Sequence, residues 1–168
     1  MRPTIILLML LLAVSAVAQD EAPPPPCSDP EFAQFDFWVG TWLVHAEGRI
    51  AGHNIIRKIN GNCTLIETYH AALNAFEGTS MNWYDAREKK WHQLWTDSAG
   101  TILDLEGEFK NGSMVMQGER FVRGKKTIDR ITWTPDDDDS VRQHWQQSTD
   151  RGQNWVSVFD GRYTRVTE

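Results

Sequence analysis

The chain has 168 residues, with 17 basic and 23 acidic side chains and a formal charge of −6. Such a surface repels a phosphate backbone, and the one basic run, Arg123-Gly124-Lys125-Lys126, reads as a solvated hairpin end, so nucleic acid is set aside as a partner. Neither Cys27 nor Cys63 has a second Cys or His at ligand spacing, which argues against a metal site.

Residues 1–18 carry Arg2, an apolar run from Ile5 to Val14 and then Ala16-Val17-Ala18. That pattern predicts a secretory signal cleaved after Ala18, and the run is shorter than the roughly 20 residues of a membrane-spanning helix. The expected mature protein is secreted or periplasmic and has about 150 residues, enough for one domain. Residues 19–30 form an acidic arm whose four prolines, Pro23 to Pro26, favour an extended conformation. In an oxidising compartment Cys27 and Cys63 are expected to pair, tying this arm to the third strand.

Residues 31–168 read as the folded domain. The first strand is expected from Phe35 to His45 and the second from Gly48 to Ile59, with a tight Asn60-Gly61 hairpin leading to a third from Asn62 to His70. Ala71 to Glu77 breaks the alternation and is expected as a short helical lid or long loop, with Leu73 and Phe76 as apolar tips. Strands resume at Thr79–Tyr84, Trp91–Asp97 and Thr101–Lys110, then a second tight hairpin at Asn111-Gly112. Ser113–Phe121, Thr127–Thr134, Ser140–Ser148 and Asn154–Val166 complete about ten strands, with turns too short for crossover helices. The predicted class is all-β, a single antiparallel barrel that hides its edges by closing, although an open sandwich satisfies the same periodicity.

Gly40-Thr41-Trp42 near the start, with Arg162 and Arg165 in the last strand, resembles the G-x-W and closing arginine of the lipocalin-like, or calycin, superfamily. The wider layout, FDFWVGTW, YDAREKKWHQLWTDS and FDGRYTR, is similar to an uncharacterised bacterial family of exported lipocalin-like proteins, a domain of unknown function. The resemblance implies a barrel closed by Trp42 and Arg165, and it brings no activity with it. Some related barrels bind haem through a histidine. Trp42 is followed here by Leu43-Val44-His45 rather than by a longer glycine-rich pattern, and alternation turns His92 and His144 away from Trp91 and Trp145. No cofactor is therefore expected.

Eight tryptophans need a role. Alternation allows Trp83, Trp91, Trp95, Trp133 and Trp145 to share a face with Glu67, Gln93, Asp104, Glu106 and Gln143. Indoles mixed with acids and amides suggest a pocket that stacks on a small hydrophobic or amphiphilic ligand and orients it by polar groups; the other reading is a packed core with the acids in water. The expected ligand-binding set is Glu67, Trp83, Gln93, Trp95, Glu106, Trp133, Gln143 and Trp145. Arg130 would balance the acids only if a bulge reversed its parity.

Ser148-Thr149-Asp150-Arg151-Gly152-Gln153-Asn154-Trp155 resembles the Asp-box of sialidase-type propellers, and a single copy reads as a turn. Asp136 to Asp139 reads as an acidic turn because the calcium-loop positions counted from Asp136 fall on Val141 and Gln147. Nucleophile elbow, zinc-protease, phosphate-loop and dinucleotide motifs are lacking. The leading expectation is an exported binding protein. The alternatives are an enzyme on the same barrel with Glu67 or Glu106 as general base, and a surface scaffold recognising an envelope partner.

Overall fold

The computed structural model describes residues 23–166. The predicted signal, residues 1–18, lies outside them, as do the first residues of the arm. Ten strands form one closed antiparallel barrel in which each strand pairs with its chain neighbours and the first pairs with the last. They are β1 (Gly40–Ala46), β2 (Arg49–Ile59), β3 (Thr64–Ala71), β4 (Glu77–Asp85) and β5 (Lys90–Asp97). β6 (Ile102–Lys110), β7 (Ser113–Val122), β8 (Lys125–Pro135), β9 (Val141–Ser148) and β10 (Val156–Arg165) follow. No helix among the described residues is long and apolar enough to cross a membrane.

The expected first strand is shorter than its apolar run. Pro30–Ala33 and Asp36–Trp38 are 3₁₀ turns, and extended pairing starts only at Gly40. These turns fold Phe35 and Trp38 into one end of the barrel, where both are fully buried. Phe35 stacks on Trp38 at 4.9 Å between centroids and meets Trp91 and Trp133 edge-on at 5.6 and 5.2 Å. Offset and edge-on packing is the geometry aromatic quadrupoles favour. Trp42 Nε1 donates to the Trp38 carbonyl at 2.9 Å and Trp91 Nε1 to Gln34 Oε1 at 3.1 Å, so the plug is tied to the wall.

The same end carries the seam. Arg165 places its guanidinium 4.2 Å from the centre of the Trp42 ring and donates through Nη1 to the Val39 carbonyl at 2.9 Å. At Gly40, φ is 151° and a Cβ would lie 2.2 Å from Arg165 Nη1, so only glycine admits this cation. The acidic turn after β8 has a further part: Asp139 accepts from Arg165 Nε at 2.6 Å, and Asp138 pairs with Arg162.

Cys27 and Cys63 form the expected disulfide, which ties the exposed proline arm to the β2–β3 turn. That turn departs from the predicted two-residue hairpin. Ile59 pairs with Thr64, so four residues intervene, and Asn60, Gly61 and Asn62 all have positive φ. Asn111-Gly112 is the two-residue turn expected, with φ of 50° and 79°. The segment after β3 contains no helix. It is a loop in which Ala71 N–H reaches the Phe76 carbonyl at 2.9 Å and Asn74 Oδ1 accepts from Phe76 N–H at 2.9 Å.

Candidate functional site

The open half of the barrel, toward the β3–β4 loop, holds a cavity of about 260 Å³. Its walls include Tyr69, Trp95, Trp133, Trp145, Phe159 and Tyr163, with Glu67, Gln93, Asp97 and Gln143 as polar members. Phe76 from the loop lines its rim and packs edge-on against Tyr69 at 6.2 Å. Leu73, expected beside it, is 72% exposed and lines only a larger outer groove. Trp133 also touches Phe35 and Trp38, so it separates the cavity from the plugged end.

Register places the polar members together. Glu67 on β3 pairs with Ser80 on β4, Ser80 with Trp95 on β5, and Trp95 with Leu103 on β6. Glu67 is buried, and its Oε2 accepts from Ser80 Oγ at 2.6 Å while Oε1 accepts from Asn54 Nδ2 at 2.7 Å. Gln93 Nε2 donates to Asn82 Oδ1 at 2.8 Å, and Asn82 Nδ2 donates to Ser80 Oγ at 2.8 Å. Every donor in this chain points toward Glu67, which makes its carboxylate the terminal acceptor. Burial raises the Glu67 pKa from 4.5 to about 7, because desolvation outweighs the bonds from Ser80 and Asn54. Burial, followed by the nearby Glu67 charge, also raises Tyr69 and Tyr163. The Tyr163 hydroxyl donates to Gln143 Oε1.

Two of the three indoles on the cavity wall are fixed by carboxylates. Trp95 Nε1 donates to Asp97 Oδ2 at 3.0 Å, and Trp145 Nε1 donates to Asp129 Oδ1 at 2.7 Å. Asp129 also accepts from Gln147 Nε2 at 2.9 Å and pairs with Arg120 Nε at 2.7 Å. Sequence reasoning passed over Asp129 and Arg120, although Asp129 shares parity with Trp133 on β8. Arg130 meets no bulge: it faces outward, 3.8 Å over the Trp155 ring, and donates to Gln146 Oε1 at 2.7 Å.

Three glycines seat the aromatic walls. A Cβ at Gly78 would lie 2.1 Å from the Trp95 ring, one at Gly161 2.4 Å from Phe159, and one at Gly52 2.6 Å from Tyr69. Trp95 and Tyr69 therefore lie over bare backbone of a neighbouring strand, and Phe159 over that of its own strand two residues on. Side chains there would push the rings into the cavity.

Two residues of the expected binding set are elsewhere. β4 turns Gly78, Ser80 and Asn82 inward, so Trp83 faces out and stacks on His92 at 5.2 Å. β6 turns Leu103 and Leu105 inward, which leaves Asp104 and Glu106 exposed; Glu106 accepts from Lys90 Nζ at 2.6 Å. Trp91, also expected on the shared face, is buried against the plug rather than on the cavity. The remaining residues of the set, Glu67, Gln93, Trp95, Trp133, Gln143 and Trp145, converge on the cavity.

Outside the barrel, Glu88, His92 and Glu106 bring three ligand-capable atoms within 4.8 Å of one another. Lys90 already supplies positive charge to Glu106 there. The Asp-box-like stretch is a turn: Asp150 accepts from Asn154 N–H at 2.9 Å, Gly152 has φ of 83°, and Trp155 Nε1 donates to the Gly152 carbonyl at 3.0 Å. No family model and no curated protein matches the sequence.

Proposed function

We propose that the mature chain is an exported, lipocalin-like binding protein that holds a small amphiphilic molecule in the open half of its barrel. The observation that carries this reading is the cavity itself. Its aromatic walls are held open by glycine seats and partly buried hydrogen bonds, where a packed core would have closed them. Its volume lies just below the roughly 300–1,000 Å³ of drug-sized ligand sites, so a small occupant fits. The rim beside Phe76 gives access, Trp95 and Trp145 stack on the apolar body, and Glu67 and Gln143 orient the polar end. The Cys27–Cys63 disulfide fits an oxidising compartment.

Native mass spectrometry of the protein purified from its own host tests this reading. A reproducible added mass of a few hundred daltons, lost in the Trp95→Ala/Trp145→Ala double variant while the far-ultraviolet circular dichroism is kept, is the expected result. A bare mass in the wild type, together with no change in either variant property, would overturn it.

One observation favours a second reading. A buried carboxylate titrating near neutrality is suited to proton abstraction, so Glu67 is the general base of any reaction run in this cavity. Glu106 is not a candidate, because it lies on the outer surface against Lys90. Turnover of a bound ligand that stops in Glu67→Gln while binding persists would select this reading over simple carriage.

A further inference from the structure

Charge, aromatic content and hydrogen-bond inventory of the cavity agree on a ligand class, given the reading of it as a binding pocket. We propose that the pocket takes a small organic cation, an amine or quaternary ammonium carrying an apolar body. Two carboxylates, Glu67 and Asp97, are on its wall, and no Lys, Arg or His lines it among the described residues. Among the described residues neither carboxylate is paired with a cation. Glu67 is held only by Asn54 and Ser80, and Asp97 only by Trp95 Nε1 and the Ala99 and Thr101 N–H groups at 3.0 and 2.9 Å. Elsewhere inside this barrel a buried carboxylate is neutralised: Asp129 has Arg120. The cavity is the place where negative charge is left for an incoming group.

The aromatic walls match the same ligand. An indole face attracts a cation through its quadrupole, most strongly where water is excluded. In Trp95 and Trp145 the N–H is bonded to an anion, which fixes the ring and draws no electron density away from its face. The inventory of polar groups also leans toward a donor. Asn54 Oδ1, fully buried beside Glu67, receives no hydrogen bond among the described residues, and only two of the four lone-pair directions of the Glu67 carboxylate are used. An anionic ligand would meet two carboxyl groups and no counter-charge. A protonated amine could donate to the open sites on Glu67, whereas a quaternary ammonium would gain only from charge and ring contact and a neutral apolar ligand from neither.

Phenyltrimethylammonium and tert-butylbenzene have the same shape and differ by one positive charge, so the pair isolates the term in question. Binding is read by tryptophan fluorescence and calorimetry on the full mature protein, with benzoate as the anionic control. The expected result is that phenyltrimethylammonium binds at least about tenfold tighter than tert-butylbenzene, with benzoate weakest. In Glu67→Gln, whose amide keeps the size and hydrogen-bonding reach of the carboxyl, the ratio of the two affinities falls by about tenfold. Equal affinity for the charged and neutral probes, or an unchanged ratio in Glu67→Gln, would overturn the cation assignment and leave the pocket reading standing. Failure of all three probes to bind, with no response to Trp145→Leu, would overturn both.

Discussion

At the plugged end of the barrel Phe35, Trp38, Trp91 and Trp133 meet one another ring to ring, whereas at the open end Trp95 and Trp145 meet carboxylates through their N–H groups. Among the described residues the plugged end even leaves the Trp38 and Trp133 N–H groups without partners, a cost that close packing offsets. The open end satisfies its indole donors and leaves its space unfilled. One residue type thus serves two tasks, and what decides between them is whether the neighbours are other rings or are acids, amides and glycines.

The largest expected effect breaks the plugged end. Trp38→Ala removes a fully buried indole from a dry cluster and is expected to cost about 3–5 kcal/mol in chemical denaturation. Trp145→Ala, on a half-open wall, is expected to cost less than half as much. Equal losses would show that the two ends are packed alike and that the cavity is not held open.

The next effect sharpens the comparison through pH. Glu67 has its folded pKa raised to about 7 against 4.5, so burial favours its protonated form. Its contribution to stability is fully present below pH 4.5 and is lost as pH rises through about 7. The span of the shift corresponds to about 3 kcal/mol, and Glu67→Gln is expected to flatten the stability profile by that order between pH 4.5 and 7. The tyrosines facing it, Tyr69 and Tyr163, are both raised from 10.0 and titrate above this window. A denaturation midpoint with the same pH slope in both proteins would mean that Glu67 is solvated.

The smallest effect on stability, and a large one on binding, is expected at Gly78. Alanine there forces the Trp95 ring off its seat, at an overpacking cost of about 1–3 kcal/mol. Binding of an aromatic probe should fall while the plugged end, followed through the near-ultraviolet signal of its aromatic cluster, stays unchanged. Unaltered probe affinity would show that Trp95 does not shape the cavity.

The ten strands were legible because alternation and the Asn-Gly and Gly-containing turns report backbone geometry directly. Inside and outside were less so, for a physical reason visible in β4. That strand turns Gly78, Ser80 and Asn82 inward to build the Glu67 network and Trp95 seat, and turns Met81 and Trp83 outward. A rule that sends apolar side chains inward fails on a wall whose inner face is polar by design. In β6 the signal was present: Leu103 and Leu105 fix the parity that exposes Asp104 and Glu106. Phe35 to Trp38 misled differently. Four aromatics around a glycine look like a strand, yet three of them precede the pairing and fold back as a plug. The glycine seats of Trp95 and Tyr69 are contacts between strands, and no local pattern announces them.

The seam between β1 and β10 bears on the order in which the molecule assembles. Every other pairing joins chain neighbours across a short turn, but at the seam the Thr164 hydroxyl donates to the Leu43 carbonyl across 121 residues. Loop-closure entropy grows with the length enclosed, and such distant contacts form late. Until then the ladder is an open sheet with two unpaired edges, a template for pairing with another molecule. Arg165 settling over Gly40 and Trp42 is thus a latch that shuts after the other hairpins are in place. A chain held back before that residue is available keeps both adhesive edges exposed, however well its other nine strands have zipped together.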